Sequence, residues 1–457
     1  MSPARLAVFD QRRTGVLLHP TALPGGLGAA ARHFIDWLAA GGFSVWQVLP
    51  LGPVGPDLSP YWSRADGAIN PALIDWSEAP STEERAADFA AFRREQAGWL
   101  DDYALFEALA ASAAGRPWWQ WPPRLRDRDA SGLALARERL SPAIERICRE
   151  QWVASLQWRG VREHARERGV RLFGDLPIYA APDSATVWSQ RAQFQLDHAG
   201  LPRAVAGVPP DYFSADGQLW GNPLYDWDQA QRDGFAFWRR RMAGTLAHFD
   251  VVRIDHFRGL CDYWSVPAGA HTAREGHWEP APGAAMLRAL HGDFPDLPLV
   301  AEDLGVITDE VTALRSDFRL PGMRVMQFGF DGQGNNPHLP HQYERDTVAY
   351  SGTHDNDTTL GWYRSLDAAT RWRVHQYLRA GGPDMPEALL RALLNSVAPL
   401  AMLPLQDLLA LGSEARFNTP GTLGGNWTWR LADGALSHEL AMHWRGLNEV
   451  CGRSGRP

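Results

Sequence analysis

The sequence predicts an α/β fold, a (β/α)8 TIM barrel that carries inserted, largely helical subdomains. Three observations predict it. Eight short apolar runs recur along the 457 residues, each continuous rather than alternating, which is the pattern of parallel strands covered on both faces. Helical segments such as AARHFIDWLAAGG separate several of them, as crossover connections require. Four of the runs end in carboxylates, and the strand ends of a barrel converge on one mouth.

The runs, in order, are GVLLHP (15–20), VWQVLPL (45–51), VRLFGDLP (170–177), VVRIDHF (251–257), LVAEDLG (299–305), MRVMQFGF (323–330), VAYSGTHD (348–355) and LAMLPLQD (400–407). One barrel unit over residues 1–457 is expected. Two gaps are far longer than a crossover helix needs, so they must hold insertions. The first, 55–168, has helical periodicity in EERAADFAAFRREQAGWLDDYALFEALAASAA and a Pro/Trp-rich interruption, RPWWQWPPRL. The second, 178–248, holds GVPPDYFSADGQLWGNPLYDW, a Pro/Gly/aromatic stretch that reads as an ordered loop.

Composition excludes several functions. A net charge of -8 without blocks of one sign offers no basic surface for nucleic acid. The N-terminal MSPARLAVFDQRRTG has no signal-peptide core, and no stretch approaches a membrane span, so a cytoplasmic, monomeric or weakly self-associating protein is expected. Cys148, Cys261 and Cys451 are widely spaced and odd in number, which supports neither a disulfide framework nor a Cys-x-x-Cys zinc site. All 45 basic residues are arginine, so Schiff-base chemistry, a pyridoxal phosphate anchor and a phosphate-loop lysine are all excluded. The 21 tryptophans suit either sugar stacking or core filling.

The strand-end acids are Asp175, Asp255, Glu302, Asp303, Asp355 and Asp357. On a strand, residues i and i+2 share a face, so Arg253 lies beside Asp255 while Ile254 points to the apolar side. The arginine should keep Asp255 ionised, whereas a carboxyl in a drier site holds its proton. Unequal acids of this kind divide nucleophile from general acid in retaining glycoside chemistry. Asp255 fits the first role and Glu302 the second, although spacing alone does not choose between Glu302 and Asp303. A buried salt bridge tying two strands together is the competing reading of Arg253 and Asp255.

The blocks SPYWS, GDLPIYAAPDSATVW, GVPPDYFSADGQLWGNPLYDW, RIDHFRG, AEDLG, QFGFDG, SGTHDNDTTLGW and GSEARFNTPGTLGGNWTWR together resemble the amylomaltases, the bacterial 4-alpha-glucanotransferases also known as disproportionating enzymes. The resemblance runs from about residue 15 to 430. It implies a retaining double displacement between alpha-1,4-glucans, with Asp255 as nucleophile, Glu302 as general acid/base and Asp355 steadying the oxocarbenium-like transition state. Tyr61, Asp175, Arg253 and His354 match the positions that hold the donor sugar, Tyr61 by stacking, and Asn426 is a further substrate-binding candidate. The chain reads ARFN where members usually carry a methionine.

Release of a glucosyl-enzyme to water or to another glucan is decided outside the acids. Tyr212, Phe213 and Trp220 in the second insertion could cover the acceptor side and exclude water, with Asn222 available for sugar hydroxyls. His271 and His277, followed by Glu279, do not fall on one helix face and read as loop histidines. Asp355 and Asp357 lack the further oxygens that a divalent ion needs. No metal or organic cofactor is expected. An alpha-glucan hydrolase and a non-catalytic glucan-binding protein are the alternatives to a transferase.

Overall fold

The computed structural model describes residues 7–83, 85–210, 215–422 and 424–454. Twelve strands run in chain order: β1 (Arg13–Leu17), β2 (Val45–Gln47), β3 (Arg171–Leu176), β4 (Ala204–Val208), β5 (Gln218–Pro223), β6 (Val251–Ile254), β7 (Asp262–Pro267), β8 (His277–Pro280), β9 (Leu299–Ala301), β10 (Gly322–Val325), β11 (Thr347–Tyr350) and β12 (Leu400–Pro404). Eight of them form one parallel sheet in the order β10-β11-β12-β1-β2-β3-β6-β9, and these are the eight apolar runs of the sequence. The sheet is a barrel.

Only the seam between β9 and β10 lacks a regular ladder. There the Ala301 N–H donates to the Pro321 carbonyl at 2.8 Å, and the Asp303 carboxylate accepts from the Met323 N–H at 2.6 Å. Gly322 makes this possible, because a Cβ at that position would stand 2.5 Å from the Asp303 Oδ2.

Alternation along the strands divides the core in two. Val45, Phe173, Val251, Val300, Met323, Val325, Val348, Tyr350, Leu400 and Met402 fill the barrel, joined by Val8 and Phe9 from the N-terminal segment. The intervening residues, among them Val252, Ile254, Leu299 and Ala301, pack outward against the helices. This phase has a direct consequence. Past Val251 the next inward position on β6 is Arg253, and past Val300 on β9 it is Glu302.

The first insertion holds helices Ala86–Glu95, Ala97–Ser112 and Ala130–Arg139, and the 27-residue helix Ser141–Glu167 leads back to β3. Its Trp/Pro stretch is structural. Trp118 is fully buried and donates from Nε1 to the Pro182 carbonyl at 2.8 Å, and Trp46, Trp152, Trp158, Trp188 and Trp238 are likewise fully buried. For these six the core-filling reading holds.

The second insertion corrects the expectation of a loop. β4 and β5 pair antiparallel, and with β7 and β8 they make a four-stranded sheet in the order β5-β4-β7-β8. His277 consequently lies in β8 rather than in a loop, with its Nε2 3.2 Å from Glu279, while His271 does lie outside the strands. The sheet was hidden because β4 finds its partner β7 some 60 residues on, across β6, and because exposed β8 lacks an apolar face to read.

Candidate active site

Strands β3, β6 and β9 lie side by side, so their ends deliver Asp175, Arg253, Asp255 and Glu302 to one place. Arg253 is the hub. Its Nε donates to Asp175 Oδ1 at 3.0 Å, and its Nη2 donates both to Asp255 Oδ1 at 2.7 Å and to the Tyr61 hydroxyl at 2.9 Å. The Tyr61 hydroxyl in turn donates to Asp175 Oδ2 at 2.6 Å. The Asp175 side chain is fully buried and Arg253 nearly so, whereas Asp255 keeps 30% of its side-chain surface open. Asp255 and the half-buried Tyr61 are thus the members of this network that a ligand can reach.

Glu302 is fixed by the residue that follows Asp255. The His256 N–H donates to Glu302 Oε2 at 2.6 Å, and His256 itself adopts a left-handed conformation at φ 47°, which is uncommon for a side-chain-bearing residue. Asp303, its neighbour, points the other way and is buried between Arg315 at 3.5 Å and Arg324 at 3.4 Å. The alternation that sequence spacing left open therefore gives Glu302 to the mouth and Asp303 to the seam.

Electrostatics separate the two mouth acids. Burial pushes Asp255 up to about 7 against the opposing pull of Arg253. Burial, then the charge of Asp255, push Glu302 up to about 8, with Arg253 and the His256 N–H opposing. Arg253 thus does not hold Asp255 in the ordinary carboxylate range as its spacing suggested, because burial outweighs the guanidinium, and the negative charge of Asp175 adds to the rise. Glu302 is thus raised by the charge of its neighbour as well as by burial. One ionised and one protonated carboxyl side by side can perform nucleophilic attack and proton donation.

Loops supply the opposite side. His354 stacks on Tyr61 with ring centroids 5.1 Å apart, and its Nε2 lies 3.4 Å from Asp355 Oδ1. Tyr61 therefore already has one face toward a ring of the protein. Burial lowers His354 below its ordinary value. Asp357 is turned to structure, accepting from the Thr358 N–H at 2.8 Å and the Ser413 hydroxyl at 2.6 Å. Trp220 meets His256 edge-on at 4.9 Å, which joins the second sheet to the mouth. Asn222 is buried and donates to the Ala180 carbonyl at 3.0 Å, so its amide ties β5 to the segment after β3. Asn426 accepts from the Thr419 N–H at 2.9 Å and braces its own loop. Tyr212 and Phe213 lie outside the described residues.

Four residues at this site lie within the quoted sequence blocks but were not singled out there. They are His256, Arg416, Asn418 and Trp427. Asn418 donates to Asp355 Oδ1 at 2.6 Å, Arg416 donates to the Asp355 carbonyl at 2.7 Å, and Trp427 stands 6.2 Å from Tyr61. Only His256 could have been found, as the residue between an inward Asp255 and a turn. Among the described residues, no group of three or more His, Cys, Asp or Glu is placed to hold a metal ion, and no helix is long and apolar enough to cross a membrane.

Comparison with known proteins identifies the family. The family model described as 4-alpha-glucanotransferase matches residues 18–83 and 76–437. The chain is 45% identical to the 4-alpha-glucanotransferase of Thermus thermophilus, over 97% of this chain and 99% of that one. It is 42% identical to that of a Synechocystis strain, over 98% and 99% respectively. Among solved structures, the amylomaltase from Streptococcus agalactiae in complex with acarbose superposes with a TM-score of 0.92 at 33% identity, covering 97% of this chain and all of that one. A barrel whose strand ends gather these acids, matched over nearly its whole length, belongs to the 4-alpha-glucanotransferase family.

Proposed function

We propose that the chain transfers segments of alpha-1,4-glucans by a double displacement at the mouth acids. Asp255 attacks the anomeric carbon of the donor sugar while Glu302 gives its proton to the departing 4-oxygen. The covalent glucosyl-Asp255 ester is then attacked by the 4-hydroxyl of a second glucan, whose proton returns to Glu302, so configuration is retained. Asp355 faces the positive charge that develops on the ring between these steps. Tyr61 and His354 hold the donor sugar, Asp175 and Arg253 hold the nucleophile, and Trp220, resting on His256, covers the acceptor side.

The observation that carries this reading is the contrast within one pair of acids. Arg253 aims an accessible Asp255, while Glu302 has no arginine on its carboxylate, is pinned by the His256 N–H and is raised by burial and by the charge of Asp255. Maltotriose is the test. Longer oligomers together with glucose are expected from wild type, and products no longer than maltotriose would make the protein a hydrolase. Asp255→Asn should lower turnover by about 10⁴-fold or more, since the residue that forms the bond is lost. Turnover near the wild-type rate would remove Asp255 as nucleophile.

A further inference from the structure

Asp355, like Glu302 and unlike Asp175 and Asp255, has no arginine side chain on its carboxylate. It follows β11 in a loop and leaves 47% of its side-chain surface open. A carboxylate so exposed has many rotamers available, yet one that meets a developing charge must point in one direction.

The segment from Arg416 to Asn418, after β12, supplies that direction. The Asn418 Nδ2 donates to Asp355 Oδ1 at 2.6 Å. Which end of the amide faces the acid follows from chemistry, because an ionised carboxylate accepts only, so the NH2 must face it. Arg416 fixes the distance between the two backbones. Its Nη2 donates to the Asp355 carbonyl at 2.7 Å and its Nε to the Asn418 carbonyl at 2.8 Å, so one planar fork holds both residues where the amide reaches the acid. Trp427 is tied to this segment by its N–H, which donates to the Phe417 carbonyl at 2.7 Å. Trp427 itself, left-handed at φ 64°, packs 6.2 Å from Tyr61 and 6.0 Å from His354. One segment therefore sets both the third acid and the donor-side rings.

We propose that Asn418 is the positioning residue for Asp355, acting through a single charge-assisted hydrogen bond whose geometry Arg416 enforces. The inference rests on the role given to Asp355 above. Its consequence is a loss confined to the transition state. Removing the donor leaves ground-state glucan contacts in place but lets the acid swing away from the ring as charge develops.

Asn418→Asp is the sharpest test, since it keeps shape and packing but sets an acceptor against an acceptor. Measured on maltotriose, it is expected to lower kcat by about 10–100-fold, with KM within about 2-fold of wild type. Asn418→Ala should lose less than Asn418→Asp, because it removes the donor without adding a charge. Thermal unfolding checks that both variants fold. Asp355→Asn, measured alongside, separates the two ideas. If Asp355→Asn is nearly inactive while Asn418→Asp keeps more than half of wild-type kcat, or loses it only with a matching rise in KM, the positioning role falls and the role of Asp355 stands. If Asp355→Asn turns over normally, both fall.

Discussion

The two sides of the barrel mouth are built differently. Asp175, Arg253, Asp255 and Glu302 stand on or immediately after adjacent strands β3, β6 and β9, and strand pairing fixes their Cα positions before any side chain acts. Tyr61, His354, Asp355, Asn418 and Trp427 stand on loops and find one another through ring contacts and one amide. The first side tolerates a buried, charged network because the backbone holds the charges in register. The second must be assembled, and an arginine fork on two carbonyls does that work at Asp355.

The sharpest way to break this contrast is on the strand side, within two adjacent residues. Glu302→Gln is expected to reduce transfer from maltotriose by about 10³-fold or more, the cost of losing proton donation to a poor leaving group. Its neighbour should behave in the opposite way. Asp303→Asn is expected to leave kcat per folded molecule close to wild type while destabilising the fold by about 2–3 kcal/mol, since Arg315 and Arg324 lose a buried counter-charge at the seam. Denaturant unfolding of both variants, paired with kinetics, reads the difference. A Glu302→Gln variant of normal rate beside an inactive Asp303→Asn would reverse the assignment.

The acids on strand ends also set a pH profile. Transfer requires Asp255 ionised and Glu302 protonated, so the rate should rise as pH climbs through about 7 and fall as it passes about 8, a narrow bell whose limbs belong to the pair. Stability moves with the same groups. Both carboxyls keep protons in the fold that unfolded chains release near pH 4, so their contribution to stability is present below that range and is lost as pH rises towards about 8. Glu302→Gln removes one of the two, and its thermal midpoint should exceed that of wild type at pH 9 but not at pH 4. Equal midpoints at pH 9 would show that Glu302 is not held protonated.

The smallest expected effect concerns a residue whose amide serves the fold. Asn222→Ala should cost about 1–2 kcal/mol, the loss of a buried hydrogen bond to Ala180, with the apparent affinity for acceptor glucose unchanged. A selective rise in acceptor KM without loss of stability would return Asn222 to the sugar.

Legibility in the sequence followed the same divide. The eight barrel strands could be read because each is a continuous apolar run, and Arg253 with Asp255 could be placed on one face because a strand repeats every two residues. β9 shows where this stops. Leu299, Val300 and Ala301 are all apolar, so the run carries no phase of its own, and Glu302 could be told from Asp303 only once Val300 was seen inside the barrel. The second sheet and the Asn418–Asp355 bond join residues far apart in the chain. No local period encodes such pairings.

By itself, then, the sequence determined the barrel, the candidate acids from which the mouth is drawn and the family, because these rest on short-range periodicity and on contiguous motifs. The tertiary structure decided which of two adjacent acids faces the mouth, how the charge of Arg253 is divided between Asp175 and Asp255, and what orients Asp355. Each of those depends on the distance between side chains from different strands and loops, a quantity fixed only when the barrel closes.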